Sequence, residues 1–549
     1  MERIFLKSWR PYLWIVLAGF LLYFKTLFYD LTYLDDNVWV LDYQWFLKNF
    51  SNSLQVFRRP DIVSGLFYRP LLNLSFIISA QMSGSSPFAY HLTNILIHLL
   101  AASLFFSLLN KLNYSRELSF LSSLIFTVHP VLTQAVVWIP GRTDSLLGVF
   151  VLTSFIFFLN FLKTKIGKYY MGHLFFLFFA LLTKETAIAL PLICFLYLQL
   201  IFKRKASSLS QKIFMIPWFI ILSVWLMIRQ TVLTQGHDTN VFLAVQSVFL
   251  NLPAIISYIG KIILPFNLSV LPILRDITPA YGLVAMVLLV VLLVLSRNKR
   301  LPYVLFGISW FFLFLLPSLV FSFLKHEYRV YLPMMGCMMV LLETDGIKHL
   351  VAQRKKMFTF GVIVLGFFSV MTFRYSDRFQ NRLTFWESAI KTSPHSPLAH
   401  RNRGAMYHLE KQLDQAEAEY KKSLELNFHE PMVHNNLGLI YMDRDMYKEA
   451  EEEYKLEIAI NPLYDNVYYN FGLLCYREGR FDKAVDLWKK TLVLNPEYID
   501  AYKNLAVYYI NQKDFTEASY YVEGLRKRGI TIPVISDALK NHSMIRFVH

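Results

Sequence analysis

Long apolar runs dominate the first two thirds of the chain. Each is about as long as the 17–25 residues that a helix needs to cross a bilayer, or slightly shorter. The pattern predicts eleven membrane spans, near residues 11–29, 89–110, 117–133, 144–162, 169–183, 186–202, 213–230, 280–296, 303–324, 329–343 and 357–373. Residues 1–373 therefore read as a multispanning, all-α membrane domain.

One further apolar segment, 247–264, contains Pro253 and Lys261. We interpret it as re-entrant or interfacial, because a full crossing would move the later basic loops to the outer side. Three basic residues precede the first run and place the N-terminus inside. Eleven crossings then place the C-terminal part outside, and a twelfth at 247–264 would move it to the other side.

The first span leads into a long outer segment, residues 30–88. It mixes apolar and polar positions over 41–57 and 70–82, a pattern typical of helices that lie in the membrane interface. We expect these helices to hold a site at the membrane surface.

After residue 374 the pattern changes to a 34-residue period, with small and aromatic residues in fixed register. The positions are Gly404, Gly438, Gly472 and Ala506; Ala416, Ala450, Ala484 and Ala518; Tyr420, Tyr454, Trp488 and Val522. This period, with small residues where two helices cross, is typical of tetratricopeptide repeats (TPRs), which stack into an α-solenoid. We predict a half repeat near 381–396, repeats at 397–430, 431–464, 465–498 and 499–529, and a cap or tail at 530–549.

Stacked repeats present a concave face that binds peptides. Asparagine recurs on the first helices at the 34-residue spacing, at Asn402, Asn436, Asn470 and Asn504. These side chains line the predicted groove, where they bond either a bound peptide backbone or only the neighbouring repeat. Both interpretations stay open.

Composition supports the division into a membrane half and a polar half. The 549 residues are 55% hydrophobic with a net charge of +16, and the mean hydropathy is +0.38. Residues 1–373 carry 31 Lys and Arg against 14 Asp and Glu, whereas the remainder carries 24 against 25. The basic excess lies in the membrane half, where basic loops orient the helices, and this argues against nucleic-acid binding.

Ionisable residues are expensive at membrane depth, yet several collect at the predicted outer ends of spans. They are Asp35, Asp36, Arg69, His91, His98, His129, Arg142, Asp144, Lys184, Glu185, Glu327 and Arg329. Each also has an ordinary structural interpretation, such as a loop charge, an interhelical hydrogen bond, a helix cap or a self-neutralising pair. Their concentration on one side of the membrane favours a shared aqueous cavity.

Two kinds of group in this set have complementary chemistry. A carboxylate such as Asp35 or Asp36 can deprotonate a hydroxyl group as a general base. Cations can bind a phosphate group and stabilise it as it leaves. The set therefore fits attack by a hydroxyl group on a substrate that carries phosphate.

Six short motifs carry a resemblance to a known family. They are Leu34-Asp35-Asp36, Tyr68-Arg69-Pro70-Leu71, Tyr90-His91 with Asn94 and His98, His129-Pro130-Val131 with Gly141-Arg142 and Asp144, Lys184-Glu185, and Glu327-x-Arg329-x-Tyr331-Leu332-Pro333. In this order, before the repeats, they resemble the GT-C superfamily of membrane glycosyltransferases. The closest resemblance is to the TMTC-type protein O-mannosyltransferases, which carry TPRs, and to their bacterial relatives.

The resemblance implies transfer of a sugar, mannose above others, from a polyprenyl-phosphate donor to a protein hydroxyl group outside the cytoplasm. It implies that Asp35 or Asp36 is the base and that Arg69, Arg142, Lys184 and Arg329 hold the donor phosphate. His91, His98, His129, Asp144, Glu185 and Glu327 would line the pocket. Gln134 departs from the family, since a Glu is common there.

Two other functions fit the same features. One is a non-catalytic membrane scaffold whose TPRs recruit proteins, and the other is a glycolipid or polysaccharide transferase on the same fold. We expect a multi-pass protein of the bacterial cytoplasmic membrane with TPRs outside, or of the endoplasmic reticulum membrane with luminal TPRs. A divalent cation as cofactor is left open, and nucleic acid is not expected as a partner.

Overall fold

A computed structural model describes residues 5–63, 65–202, 209–233, 241–320, 326–528 and 530–545. Every regular element in these ranges is a helix, which confirms the predicted all-α class. The chain divides into two compact units, Met1–Pro394 and His395–His549. Each unit is described by itself.

The first unit holds the apolar helices, and each of the eleven predicted runs contains helix. Its α-helices are α1 (Arg10–Tyr23), α2 (Gln44–Leu47), α3 (Pro70–Ser83), α4 (Phe88–Lys111), α5 (Arg116–Val128), α6 (Thr133–Val137), α7 (Arg142–Thr164), α8 (Gly167–Leu181), α9 (Ala189–Leu200), α10 (Leu209–Val232), α11 (Val241–Leu250), α12 (Leu252–Ile263), α13 (Ala280–Leu295), α14 (Leu301–Leu319), α15 (Tyr331–Leu341), α16 (Asp345–Ala352), α17 (Arg354–Ser376) and α18 (Arg382–Thr392). The last residues of the predicted run 303–324 lie outside the described ranges.

Six helical stretches among the described residues are long and apolar enough to cross a bilayer. They are Arg10–Phe28, Phe88–Lys111, Ile139–Thr164, Met215–Val232, Leu301–Leu319 and Arg354–Phe379. A bent pair, Arg116–Val128 with Pro130–Val137, makes up to seven. The break falls at Pro130, which has no amide hydrogen to continue the helix. The protein thus fits a multi-pass membrane protein, and the number of eleven spans stays a prediction.

The segment 247–264 contains two short helices instead of one long one. Helices α11 and α12 have 10 and 12 residues, respectively, and meet at Asn251. Neither is close to the length of about 20 residues that a straight crossing needs. A re-entrant or interfacial path stays the prediction for this segment.

The outer segment folds into a small core of its own. Four short helical elements, Val38–Asp42, α2, Phe50–Ser53 and Gln55–Arg58, lead to α3. Buried apolar side chains of Val38–Asp42, α2 and Gln55–Arg58 form one cluster with Leu72, Phe76 and Ile77 of α3, and the rings of Trp39 and Phe76 stack at 4.2 Å. This core forms the support of the segment that carries the two aspartates.

The second unit consists of antiparallel helix pairs at the predicted spacing. Its helices are α19 (Pro397–Leu409), α20 (Leu413–Leu426), α21 (Val433–Asp443), α22 (Tyr447–Ile460), α23 (Asp465–Arg477), α24 (Phe481–Leu494), α25 (Ile499–Asn511), α26 (Phe515–Lys527) and α27 (Pro533–Asn541). Ile535 and Ala538 of α27 are buried in the same apolar cluster as α24 and α26. Helix α27 thus covers the apolar end of the last pair.

The boundary between the units differs from the predicted one. We placed it after residue 373, with the half repeat 381–396 in the solenoid, whereas the first unit extends to Pro394. Helix α18 packs into the first unit through Phe385, whose ring lies 5.6 Å from that of Phe379. Ser393 also donates a hydrogen bond of 2.7 Å to the Leu271 carbonyl. Tertiary contacts therefore override the repeat-like sequence of α18.

The repeat glycines give a first prediction. A Cβ on Gly472 would lie 2.5 Å from Nε1 of Trp488, whose side chain is fully buried. Gly472→Ala is therefore expected to lower the free energy of unfolding by about 1–3 kcal/mol, the usual cost of overpacking. Thermal unfolding of the full chain measures it. Gly366→Ala is the control, since nothing lies within 4 Å of that added methyl group, and equal stability of both variants would contradict the prediction.

Candidate active site

The two aspartates lie in a tight loop that leaves the first membrane helix. Tyr33 and Asp35 adopt positive φ angles of 60° and 67°, which cost about 1–3 kcal/mol each in residues other than glycine. The backbone amide and the hydroxyl group of Thr32 donate hydrogen bonds of 2.7 and 2.8 Å to Oδ2 of Asp36. The amide of Asn37 donates to its Oδ1 at 3.0 Å. Asp36 thus holds the loop closed from inside.

The loop gives the two carboxylates different environments. Asp36 is almost fully buried, and burial raises the pKa of its carboxyl to about 7, against the opposing effect of the hydrogen bonds from Thr32. The Asp35 side chain is exposed, yet the surrounding protein raises its pKa as well. The exposed Asp35 carboxylate is therefore open to a substrate, whereas that of Asp36 is not.

Trp138 connects this loop to a second part of the site. Its indole Nε1 donates a hydrogen bond of 3.0 Å to the carbonyl of Leu34. Its ring stacks with His326 at 5.6 Å, and Tyr328 lies at 5.6 Å from the same ring. Trp138 was not predicted as a site residue, because an aromatic residue in an apolar segment usually belongs to the core.

Two ion pairs lie beside this aromatic group. Arg69 Nη2 lies 3.0 Å from Glu185 Oε2, and Lys184 Nζ lies 2.6 Å from Asp144 Oδ2 and 5.5 Å from the Tyr328 ring. All four side chains are mostly buried, with 8–24% of their surface exposed. An ammonium group has three donors and a guanidinium five. Lys184 and Arg69 each pair with one carboxylate, which does not use all of their N–H donors.

Arg329 belongs to the same electrostatic group. Burial lowers the pKa of Lys184, and Arg69 and Arg329 lower it further while Asp144 opposes them. The half-buried Arg329 also donates a hydrogen bond of 3.1 Å from Nη1 to the Ser318 carbonyl. The structure therefore brings together Arg69, Asp144, Lys184, Glu185 and Arg329. We call these five residues the charge cluster.

Arg142, which we expected beside the donor phosphate, does not join the charge cluster. Its guanidinium is fully buried and donates to Asn94 Oδ1 at 2.7 Å, Ser79 Oγ at 3.0 Å and the Tyr90 carbonyl at 2.8 Å. These acceptors are all neutral and lie on α3 and α4. Arg142 therefore ties α7 to both helices.

The three histidines predicted for the pocket are buried in helix contacts. The His98 ring bonds Tyr331 Oη at 2.8 Å and the Thr127 carbonyl at 3.0 Å. His129 Nε2 bonds the Ile262 carbonyl at 2.9 Å, and its Nδ1 accepts the Val131 amide. His91 is also buried, next to backbone groups of Tyr29 and Val137. The structure thus buries all three among helices, and their role in the pocket stays a prediction.

Glu327 is likewise a structural centre. It is fully buried, and its Oε1 lies 2.7 Å from Lys261 Nζ and accepts the Ser269 amide at 2.8 Å. Tyr375 donates to its Oε2 at 2.9 Å. A lone lysine in the apolar segment 247–264 was the only sign of this pair in the sequence, and 66 positions separate the partners.

Gln134 orients the segment that begins at Glu327. Its Oε1 accepts the amides of Glu327 at 2.8 Å and Tyr328 at 3.3 Å, while its Nε2 donates to the Val270 carbonyl at 3.0 Å. The two backbone amides need an acceptor, and the Val270 carbonyl needs a donor. Glutamine satisfies both, whereas the glutamate common in the family lacks the donor. Gln134 and Glu327 together position Tyr328 and Arg329.

The asparagines predicted for the repeat groove bond other side chains of the repeats, two of them across neighbouring repeats. Asn470 Nδ2 donates to Asn435 Oδ1 at 2.9 Å, and Asn504 Nδ2 donates to the Tyr469 hydroxyl at 3.2 Å. Asn402 Oδ1 accepts from Arg401 and Asn436 Oδ1 accepts from Asn435. All four are half-buried. The bonds of Asn470 and Asn504 stabilise the stack, and peptide binding by the asparagines stays a prediction.

No group of three or more His, Cys, Asp and Glu side chains that could hold a metal ion occurs among the residues that the structure describes. The carboxylates of the charge cluster are instead paired with cations, as described above.

Comparisons with known proteins find relatives of parts of the chain. A tetratricopeptide repeat family model matches residues 469–529. The chain is 32% identical over 148 residues to protein O-mannosyl-transferase TMTC1 of Mus musculus, covering 25% of this chain and 16% of that protein. It is 36% identical over 98 residues to protein O-mannosyl-transferase TMTC2 of Homo sapiens, covering 18% and 12%. The matched region is thus a small share of either relative.

The crystal structure of MamA is 23% identical, covers 29% of this chain and 89% of its own, and has a TM-score of 0.24. The partial matches to the two mannosyl-transferases confirm the predicted resemblance to TMTC-type proteins, with TPRs present.

Proposed function

We propose that the chain is a membrane glycosyltransferase that moves mannose from a polyprenyl-phosphate donor to a hydroxyl group of a protein. Transfer takes place on the extracytoplasmic side, and the TPRs hold the acceptor. Support comes from the resemblance to protein O-mannosyl-transferases and from two groups of residues at the candidate site, the Asp35–Asp36 loop and the charge cluster. The charge cluster is the single observation that carries the proposal, because three cations beside two carboxylates suit a phosphate ester at a membrane surface.

Asp35 is the base in this proposal. A general base must reach the proton that it removes, and geometry comes before pKa in choosing it. The Asp35 carboxylate is exposed, whereas both Asp36 oxygens accept hydrogen bonds from the loop itself. Asp35 takes the proton of the acceptor hydroxyl group, and Asp36 keeps the loop in shape.

The charge cluster acts on the leaving group. As the acceptor oxygen forms its bond to the anomeric carbon, the bond from that carbon to the phosphate oxygen breaks. The phosphate departs with the bonding electron pair and gains negative charge. Arg69, Lys184 and Arg329 stabilise this charge, and pre-placed cations in a site of low dielectric do so at little reorganisation cost.

Replacing Lys184 with glutamine tests this role. The substitution removes a charge-assisted contact to phosphate worth about 1.5–3 kcal/mol, so kcat/KM for the donor is expected to fall about 10- to 100-fold. Transfer is measured in membranes that receive labelled polyprenyl-phosphate mannose, with label followed into protein and lipid. Lys168→Gln is the matched control, since Lys168 is an exposed lysine outside the cluster.

The same assay separates the alternatives. Labelled protein with wild type and little with Lys184→Gln supports the proposal. Label found only in lipid points to a glycolipid transferase. No transfer by wild type from this donor or from other lipid-linked sugars, with the chain folded, leaves the scaffold function.

A further inference from the structure

Residues 377–382 follow helix α17 and end with the first residue of α18. They contact the part of the chain that lies just before the two aspartates. Lys25 Nζ lies 2.5 Å from Asp377 Oδ1, and the Tyr29 hydroxyl donates to the same oxygen at 2.7 Å. The amide of Asp30 donates to the Gln380 carbonyl at 2.9 Å. These contacts join positions about 350 residues apart in sequence.

A fourth contact reaches the loop itself. The guanidinium carbon of Arg382 lies 5.4 Å from the centroid of the Tyr33 ring. Tyr33 is one of the two residues with a positive φ beside the aspartates. Strained backbone of this kind persists only where surrounding contacts fix it. From inside, Asp36 and Trp138 fix the loop, and from outside the segment 377–382 does.

We propose that residues 377–382 are a clamp of positioning residues, which hold the Asp35–Asp36 loop in the shape that directs Asp35 at the acceptor. We call this segment the clamp. The inference rests on the proposed function for its activity readout, but the contact itself is tested separately. Asp377 is the central residue, because one oxygen receives both Lys25 and Tyr29.

The contact is more than an isolated surface ion pair. Such pairs contribute little on their own, and 53% of the Asp377 side chain is exposed. Here Lys25 also donates to the Phe373 carbonyl at 2.5 Å and lies 3.4 Å from the centroid of the Phe373 ring. The ammonium group is therefore fixed by three partners, which makes the pair part of a network.

The other end of the clamp is also anchored. Arg378 donates from Nη1 to the Leu268 carbonyl at 3.2 Å. At the end of α18, Thr392 and Ser393 contact Ser269 through their hydroxyl groups. The Ser269 amide in turn bonds Glu327. One chain of contacts thus runs from the aspartate loop to the segment that carries Arg329.

Asp377→Asn tests the clamp with two readouts in the purified full-length protein. Transfer is expected to show at least a fivefold lower kcat with an unchanged KM for the donor, because the phosphate-binding cations are untouched. The second readout uses Asn37→Cys as a reporter in the loop, whose modification rate by a maleimide is expected to rise at least threefold. Background labelling is low because Cys194, Cys337 and Cys475 are buried.

Rescue and control variants make the outcome decisive. The charge swap Lys25→Glu with Asp377→Lys is expected to restore both readouts toward wild type. Tyr29→Phe removes one bond and is expected to give a smaller change in the same direction. Asp500→Asn is the matched control, since Asp500 also pairs with a lysine but lies exposed in the repeats.

Unchanged labelling with Asp377→Asn overturns the clamp, whatever happens to transfer. Faster labelling with a wild-type kcat overturns its positioning role. If wild type transfers no sugar at all, the proposed function fails, while the labelling experiment still decides whether residues 377–382 hold the loop. Thermal unfolding confirms that each variant is folded.

Discussion

Replacing Asp35 with asparagine is expected to lower the rate of sugar transfer by about 10²- to 10⁴-fold, the usual contribution of a general base. Asparagine keeps the size of the side chain but cannot take a proton at neutral pH. Because Asp35 is exposed and lies outside the bonds that close the loop, the fold and the donor KM are expected to stay unchanged. Labelled mannose transferred to protein measures the effect.

Two neighbouring carboxylates serve as controls. Asp42→Asn neutralises an exposed aspartate of the same outer segment and is expected to leave transfer unchanged. Asp36→Asn replaces one acceptor oxygen by a donor next to the Thr32 or Asn37 donors. It is expected to disturb the loop and lower transfer less than Asp35→Asn. A result in which Asp35→Asn retains transfer and Asp36→Asn abolishes it assigns the base to Asp36.

The pH dependence gives a second check on the same residue. A general base acts only when it is deprotonated, so the wild-type rate should rise with pH through the pKa of Asp35. Desolvation by the surrounding protein raises this pKa above its ordinary value, although the side chain is exposed. Asp36 titrates near pH 7 and accepts the bonds of Thr32 best as a carboxylate. We therefore expect transfer to fall as the pH drops below neutral, and a rate independent of pH in this range contradicts the role of Asp36 in the loop.

The helices were predictable because their signals are local. Apolar runs and the 34-residue period each lie in consecutive residues, and Gly438 and Gly472 do face Tyr454 and Trp488 as the period indicated. The end of the first unit was not predictable in this way. Helix α18 has the sequence of a half repeat, yet Phe379 and Leu271 of the first unit hold it there. Leu271 lies 122 positions from Ser393 in the sequence, and no local pattern reveals such a partner.

The site was predicted in part. The charge cluster comes together as predicted by the rule that ionisable residues at membrane depth are costly and therefore share a site. The same rule does not separate a cation that faces a cavity from one that satisfies buried carbonyls, so it also selected Arg142. Trp138 escaped it because an indole donor carries no charge, and its partner is a backbone carbonyl.

Removing the charge of Lys261 is expected to give the largest loss of stability in the first unit. Lys261 and Glu327 are 3% and 0% exposed and lie 2.7 Å apart. Lys261→Met leaves the carboxylate buried without its cation, which costs about 3–5 kcal/mol. The free energy of unfolding in detergent or nanodiscs measures this loss. Lys348→Met is the control. The Lys348 side chain is partly exposed, and its partner Glu343 also pairs with Arg300, so the carboxylate keeps a cation in this variant.

A double variant shows whether the loss comes from the unpaired charge. With Glu327→Gln added to Lys261→Met, no charge remains, and the amide oxygen still accepts the Ser269 amide while Tyr375 can accept from the amide nitrogen. Most of the lost stability should return, as it does when both partners of a buried pair become neutral. A double variant as unstable as the single one contradicts this explanation.

The same pair has a consequence for donor binding. Glu327 begins the short segment whose amides Gln134 holds, and Arg329 follows two positions later. Lys261→Met is therefore expected to raise the donor KM severalfold, although Lys261 touches no residue of the charge cluster in the described ranges. The double variant should restore the KM together with the stability, since both effects depend on the same buried carboxylate. Recovery of stability without recovery of the KM means that Lys261 acts on Arg329 by a route other than Glu327.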